Sequence, residues 1–200
     1  MDNEDVSNNK IRIRLLDILT ISKINHDVEI LTQPTLKHAH IYCKINRLTG
    51  QLSGPLIEKY IKCKYGMLKN NASLCNGDLR HNQENIEIKA SNGGKDNNKF
   101  NYVQIRVNHT CCYILTAYYI HNCNIDILGE LFIFKINKDD IKKIIFNYGG
   151  YAHGTKNILG DITIDDLNDN TNRKEYAIRP KYDDDLWNEL LQFRIDENCI

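Results

Sequence analysis

Asp78, Glu87 and Lys89 are the residues whose types and spacing could do chemistry. Glu87 and Lys89 flank Ile88 in the segment Asn85 to Ser91, where polar and apolar residues alternate as in a half-buried strand with Ile86 and Ile88 facing the core. Side chains two apart on a strand share a face, so Glu87 and Lys89 project together, away from the isoleucines. A bend at Gly77 and Asp78 would bring a second carboxylate alongside. Mg2+ prefers a few carboxylate and carbonyl oxygens with water filling the rest, a demand that Asp78, Glu87 and the main-chain carbonyl of Ile88 can meet. Mn2+ would substitute. Lys89 would orient or deprotonate a water. In phosphodiester hydrolysis a metal polarises the phosphate while a neighbouring ammonium offsets the developing charge, so this set points to that reaction class. An isolated Glu-x-Lys string is more often a solvated strand face with an ion pair. The weight therefore rests on its companions: Asp78, Glu58 on a preceding helix, and Gln104 and Arg106 on a following strand.

Those residues need a scaffold, and the hydrophobic pattern supplies one. Ser53 can cap a helix and Pro55 suits a first turn, after which Leu56, Ile57, Tyr60 and Ile61 recur at helical spacing up to Lys62. Strands are expected over residues 85–91, 102–107, 112–120 and 131–136, the third apolar enough to be central in a sheet. A helix over residues 138–146, a strand over 175–179 and a helix over 183–193 with an acidic start complete the order. Residues 10–22 are apolar at both periods and leave their class open, while residues 69–76 and 91–98 read as loops. The expectation is an α/β fold with a mixed central β-sheet flanked by helices.

With Asp78, Glu87-Ile88-Lys89 and Glu58 in these positions, the sequence resembles the PD-(D/E)xK nucleases, and among them the type II restriction endonucleases. The resemblance covers residues 50–140, with the remainder matching only in general style and residues 148–200 expected to supply DNA recognition and supporting elements. It implies a restriction-endonuclease-like fold with metal ligands on adjacent strands. Asp78 takes the place of the motif aspartate, Glu87 the second acid and Lys89 the lysine, and Glu58 corresponds to a helix glutamate near the metal. The residue before Asp78 is Gly77 where the motif has proline. The implied activity is Mg2+-dependent, sequence-specific cleavage of double-stranded DNA. A repair or recombination nuclease of the same fold and a noncatalytic DNA-binding protein are the alternatives. Palindromic sites favour two-fold dimers, so a homodimer is expected.

Other segments carry weaker signals. His109, Cys111, Cys112, His121 and Cys123 are zinc-capable, yet residues 112–120 read as a buried strand, and a closed structural zinc site needs four converging ligands. The glycine-punctuated stretch from Tyr148 to Lys156 contains His153, Thr155 and Lys156, and with Gln104, Arg106 and Arg179 it offers donors for phosphates and base edges. It lacks the Gly-Lys-Ser/Thr ending of a phosphate-binding loop.

Bulk properties bound the answer. At 200 residues, 42% hydrophobic and 26% charged, the chain has the makings of one folded domain. The formal net charge is zero, so DNA binding would have to come from a focused basic cleft; residues 1–100 carry net +4 and residues 101–200 net −4. Seven cysteines without regular spacing argue against a disulfide framework. No apolar run approaches the roughly 20 residues needed to cross a bilayer, and the polar, acidic start is unlike a secretory signal, so a cytoplasmic protein without a membrane partner is expected.

Overall fold

The computed structural model describes residues 35–71, 75–93, 98–120, 129–152 and 162–200. The ambiguous segment 10–22, His121 and Cys123, and the loop residues His153, Thr155 and Lys156 lie outside them. The fold is α/β, with a mixed central sheet flanked by helices.

Two helices come first. In α1 (Leu36–Ile45) Thr35 caps the amide of His38, and the His38 ring accepts from the Thr35 amide 3.0 Å away, a reciprocal cap. The second helix, α2 (Gly50–Lys64), starts three residues before the expected cap. Ser53 is buried inside it and Pro55 sits past the first turn. The helix tolerates this proline because the Gln51 carbonyl it leaves unbonded is on an exposed residue, open to water. Gly54 also spares the clash that a Cβ before proline would bring in helical backbone.

The central sheet has the order β1 (Leu68–Lys69), β2 (Leu79–His81), β3 (Glu84–Ser91), β5 (Cys112–Tyr119) and β6 (Glu130–Ile136). Its one parallel pair is β3 with β5, which makes it mixed. The parallel pairing puts Glu87 beside Tyr113 and Lys89 beside Leu115. As its apolar run predicts, β5 is central and buried from Cys112 to Tyr118.

Strand alternation then builds two layers. Ile86, Ile88, Cys112, Ile114 and Ile133 point to one face and pack under α1 and α2 through Leu36, Ala39, Ile57, Tyr60 and Ile61. Tyr113, Leu115, Phe132 and Phe134 point to the other and meet Trp187, which stacks on Phe100 at 5.0 Å and stands edge-on to Phe132 at 4.8 Å. That second layer holds α3 (Lys138–Tyr148), α4 (Ile164–Asn168), α5 (Asp185–Leu191) and a separate three-stranded sheet. This small sheet runs β4 (Tyr102–Ile105), β8 (Tyr176–Ile178), β7 (Gly150–Tyr151). The strand bearing Gln104 thus belongs to the small sheet and not to the central one.

A two-residue turn joins β2 to β3. Asn82 and Gln83 both have positive φ, 46° and 70°, the mirror-image turn whose twist matches a hairpin. Leu79 pairs with Ile86, and the Asp78 amide donates to the carbonyl of that same Ile86 at 2.9 Å, so Asp78 meets the edge of β3 beside Ile86. Gly77 makes the entry to that position. Its φ is +72°, and a Cβ there would stand 2.7 Å from the Ile86 carbonyl oxygen.

Gly77→Ala is therefore expected to destabilise the fold by at least the roughly 1–2 kcal/mol that left-handed backbone costs, with the backbone clash added. Gly50→Ala, where a Cβ meets nothing within 4 Å, should be neutral or stabilising by up to about 1 kcal/mol. Urea unfolding midpoints of the two variants against the parent check this; a Gly77→Ala protein as stable as the parent would refute the turn geometry.

Candidate functional site

The site forms where β2 stops and the edge of β3 continues alone. The Asp78 amide donates to the Ile86 carbonyl at 2.9 Å, and the Ile88 amide donates to Asp78 Oδ2 at 3.2 Å. The aspartate thus caps the strand edge that β2 leaves open. The amide and carbonyl of one strand residue point to the same edge, so the Ile88 carbonyl also faces the Asp78 side.

Glu87 is 6% exposed, and its burial corrects the expectation of a water-facing strand side. Its two oxygens have different neighbours. Oε1 lies 2.6 Å from Lys89 Nζ, and Oε2 lies 3.8 Å from His109 Nδ1. Burial alone would push this carboxyl up, but the nearby His109 ring nitrogen and the Lys89 ammonium together outweigh it and hold Glu87 below the ordinary carboxylate value. Asp78 moves the other way: burial first, then the Glu87 charge, raise it against Lys89 and the Ile88 amide. Glu58, on α2 and so in the layer on the opposite face, is raised by burial and by the charges of Asp78 and Glu87, partly offset by Lys69 and Lys89.

The structure therefore brings Asp78, Glu87, Lys89 and Glu58 into one electrostatic neighbourhood. Three carboxylates with one ammonium inside it form a set of hard oxygen donors with excess negative charge, and a hard divalent cation fits that chemistry. As a threesome the carboxylates do not converge tightly. Among the described residues, the group whose ligand atoms all lie within 4.8 Å of one another is Glu87, His109 and Cys111. This cluster could hold a metal.

His109 and Cys111 are the site residues that the sequence pattern missed in this role. Cys111 precedes Tyr113 by two residues and so shares the face on which Tyr113 pairs with Glu87. Burial pushes its thiol up to about 12. Cys112 points to the opposite core and takes no part. The apolar run of residues 112–120 is visible in the sequence, but the parallel pairing of β5 with β3 is not.

Of the residues expected to touch DNA, Gln104, Arg106 and Arg179 are described, and their side chains have surroundings of their own. Arg106 is held by Glu175 through Nε at 3.0 Å and through its terminal nitrogen. Arg179 reaches the Ala152 carbonyl at 3.5 Å. Gln104 is exposed with φ +58° at an irregularity in the pairing of β4 with β8. Such bulges turn a side chain away from the ladder. No helix among the described residues is long and apolar enough to cross a membrane.

Comparison with protein-family models, with curated proteins and with solved structures finds no match for this chain. The site has to be read from its own chemistry.

Because Asp78 and Glu58 bind protons more readily in the folded chain, their ionisation costs stability. That cost is absent below the ordinary carboxylate range and grows as pH rises through it to the raised values. Glu87 does the opposite: its contribution is present above the ordinary value and lost as pH falls through the lowered one. In EDTA at pH 7, Asp78→Asn should raise the thermal midpoint and Glu87→Gln should lower it, each kcal/mol reading as about 2–4 °C in a chain of this size. Both differences should shrink towards about pH 4. Scanning calorimetry at the two pH values checks the signs, and an Asp78→Asn protein less stable than the parent at pH 7 would refute the crowded-carboxylate account.

Proposed function

We propose that the chain is a Mg2+-dependent endonuclease of the PD-(D/E)xK kind, cutting double-stranded DNA with the sequence specificity of a type II restriction enzyme. The observation that carries this reading is the hairpin register. It brings Asp78 to the open edge of β3, where its amide bonds the Ile86 carbonyl and its carboxylate accepts from the Ile88 amide, with Lys89 on Glu87 and the Glu58 charge coupled to both acids. A mixed sheet between helical layers, with Glu87 on β3 and Asp78 just ahead of its neighbour β2, supports a restriction-endonuclease-like fold.

In this mechanism Asp78, Glu87, the Ile88 carbonyl and Glu58 would hold Mg2+ or Mn2+. The bound ion supplies Lewis-acid polarisation of the phosphate and acidifies a water. Lys89, kept beside Glu87 by a 2.6 Å contact, offers an ammonium to the phosphate oxygens and positions the attacking water. His109 Nδ1 stands 3.8 Å from the other oxygen of Glu87, and Ile88 fixes Asp78 through its amide. Gln104, Arg106, Arg179 and the loop residues His153, Thr155 and Lys156 are the proposed DNA contacts, with Arg106 leaving Glu175 to reach a phosphate. A homodimer would match a palindromic site.

Purified protein incubated with supercoiled plasmid and genomic DNA in Mg2+ or Mn2+ should give discrete fragments, and none in EDTA. Ca2+ should support binding without turnover. Glu87→Ala and Lys89→Ala should each cost at least about 100-fold in rate. Normal cleavage by the Glu87→Ala protein would reject the site. Preference for branched or gapped substrates would shift the reading to a repair nuclease, and DNA retention without cutting in any metal to a noncatalytic binder.

A further inference from the structure

The cleavage site needs one of the two oxygens of Glu87 beside Lys89, which leaves the other turned to a pair of side chains of different chemistry. We infer that Glu87, His109 and Cys111 form a second metal site, selective for a borderline-soft ion of the Zn2+ type and mutually exclusive with the hard-cation site because both require Glu87. The exclusion clause rests on the nuclease reading above; the site itself does not.

Geometry comes first. Ligands about 2.0–2.3 Å from a tetrahedral ion stand about 3.3–3.8 Å from each other. His109 Nδ1 and Glu87 Oε2 already stand at 3.8 Å, and Cys111 Sγ lies within 4.8 Å of its two partners, so a side-chain adjustment of about 1 Å closes the set. The ligands come from β3, from the turn after β4 and from the residue before β5, which the parallel β3 and β5 pairing locks together. A site held by sheet register needs little ordering when it binds.

The donor set then selects the ion. Sulfur and imidazole nitrogen favour Zn2+ or Co2+ over Mg2+, whose demand is for oxygens. Binding releases the Cys111 proton to solvent, and a thiolate, a carboxylate and a neutral imidazole then balance a dication. A charge-neutral assembly is what this buried place can hold at low cost, since Glu87 is 6% and Cys111 7% exposed. Three protein ligands leave the fourth position for water, unlike the closed four-ligand structural sites.

Binding would pull Glu87 Oε2 towards His109 and Cys111 and commit the carboxylate that Asp78 and Lys89 share. The ion would then act as an inhibitor of the neighbouring site. This role also accounts for a buried thiol beside a carboxylate, an arrangement that hydrolysis does not need.

Co2+ titration reads the thiolate directly. The protein should take up one equivalent with a thiolate-to-cobalt charge-transfer band, lost in Cys111→Ser and weakened at least about tenfold in affinity in His109→Ala. Asp78→Asn and Lys89→Ala should keep the band. X-ray absorption of the one-equivalent zinc protein, which needs no variant, should show one sulfur at about 2.3 Å and otherwise nitrogen and oxygen. Absence of sulfur from that shell, or a band that survives Cys111→Ser, overturns the site. Zinc should also suppress Mg2+-dependent cleavage in the parent at concentrations that leave Cys111→Ser active; equal inhibition of both overturns the exclusion. A chain that shows the band but cuts DNA in no metal upholds the site and removes the nuclease reading, whereas cleavage without the band does the reverse.

Discussion

A carboxylate with 6% exposure has to be paid for, and the arrangement of this molecule around Glu87 follows from how it is. An isolated buried carboxylate costs several kcal/mol, and that cost falls only with partners of opposite charge or good donors. Lys89 supplies the charge from the same strand face, where a residue two positions along cannot avoid being. His109 supplies the second contact from a turn that the pairing of β3 with β5 delivers. A slip of β3 by one residue would turn Glu87 and Lys89 into the layer under α1 and α2 and bring Ile86 and Ile88 out of it. The ion pair and the isoleucines therefore enforce the same register from opposite faces.

The sheet edge is the second constraint. Three-residue β2 covers β3 only as far as Ile86, and beyond it β3 has no ladder partner on that edge among the described residues. Asp78 closes part of that edge through the Ile88 amide. The same interruption that exposes backbone oxygen donors thus brings in the second carboxylate, so a short β2 is a requirement of the site. A longer strand would pair the edge and bury the Ile88 carbonyl in a ladder. Glu58 adds a third acid from the helical layer, and the raised values of Asp78 and Glu58 measure the crowding.

Much of this was legible because alternation is a local signal. The polar and apolar alternation of residues 85–91, the apolar run of β5 and the acidic start of the last helix all act within a few residues, and the elements follow from them. The misses are long-range or cryptic. The β2–β3 turn uses Asn82 and Gln83 where a glycine would have announced it. The helix starts after Thr49, which makes no side-chain cap, although Ser53 and Pro55 look better suited, and Ser53 is buried within the helix instead. The assignment of β4 to a separate sheet depends on pairing with Tyr176 to Ile178, more than seventy residues on. His109 and Cys111 join Glu87 only through a parallel register, which no sequence spacing encodes.

Gly77 shows why a motif should be read as geometry and not as letters. Proline locks φ near −65°, whereas residue 77 has φ +72°, so this entry to the hairpin excludes the motif's own proline. What the chemistry requires of the preceding residue is only that it deliver Asp78 to the Ile86 carbonyl and the Ile88 amide. Here the delivery is a left-handed turn pressed against the Ile86 carbonyl, with no room for a Cβ. Under the proposed nuclease reading, the departure from the motif is a second solution to the same positional demand. The constraint on residue 77 becomes stricter than in a proline-led motif, since glycine alone combines that φ with that clearance.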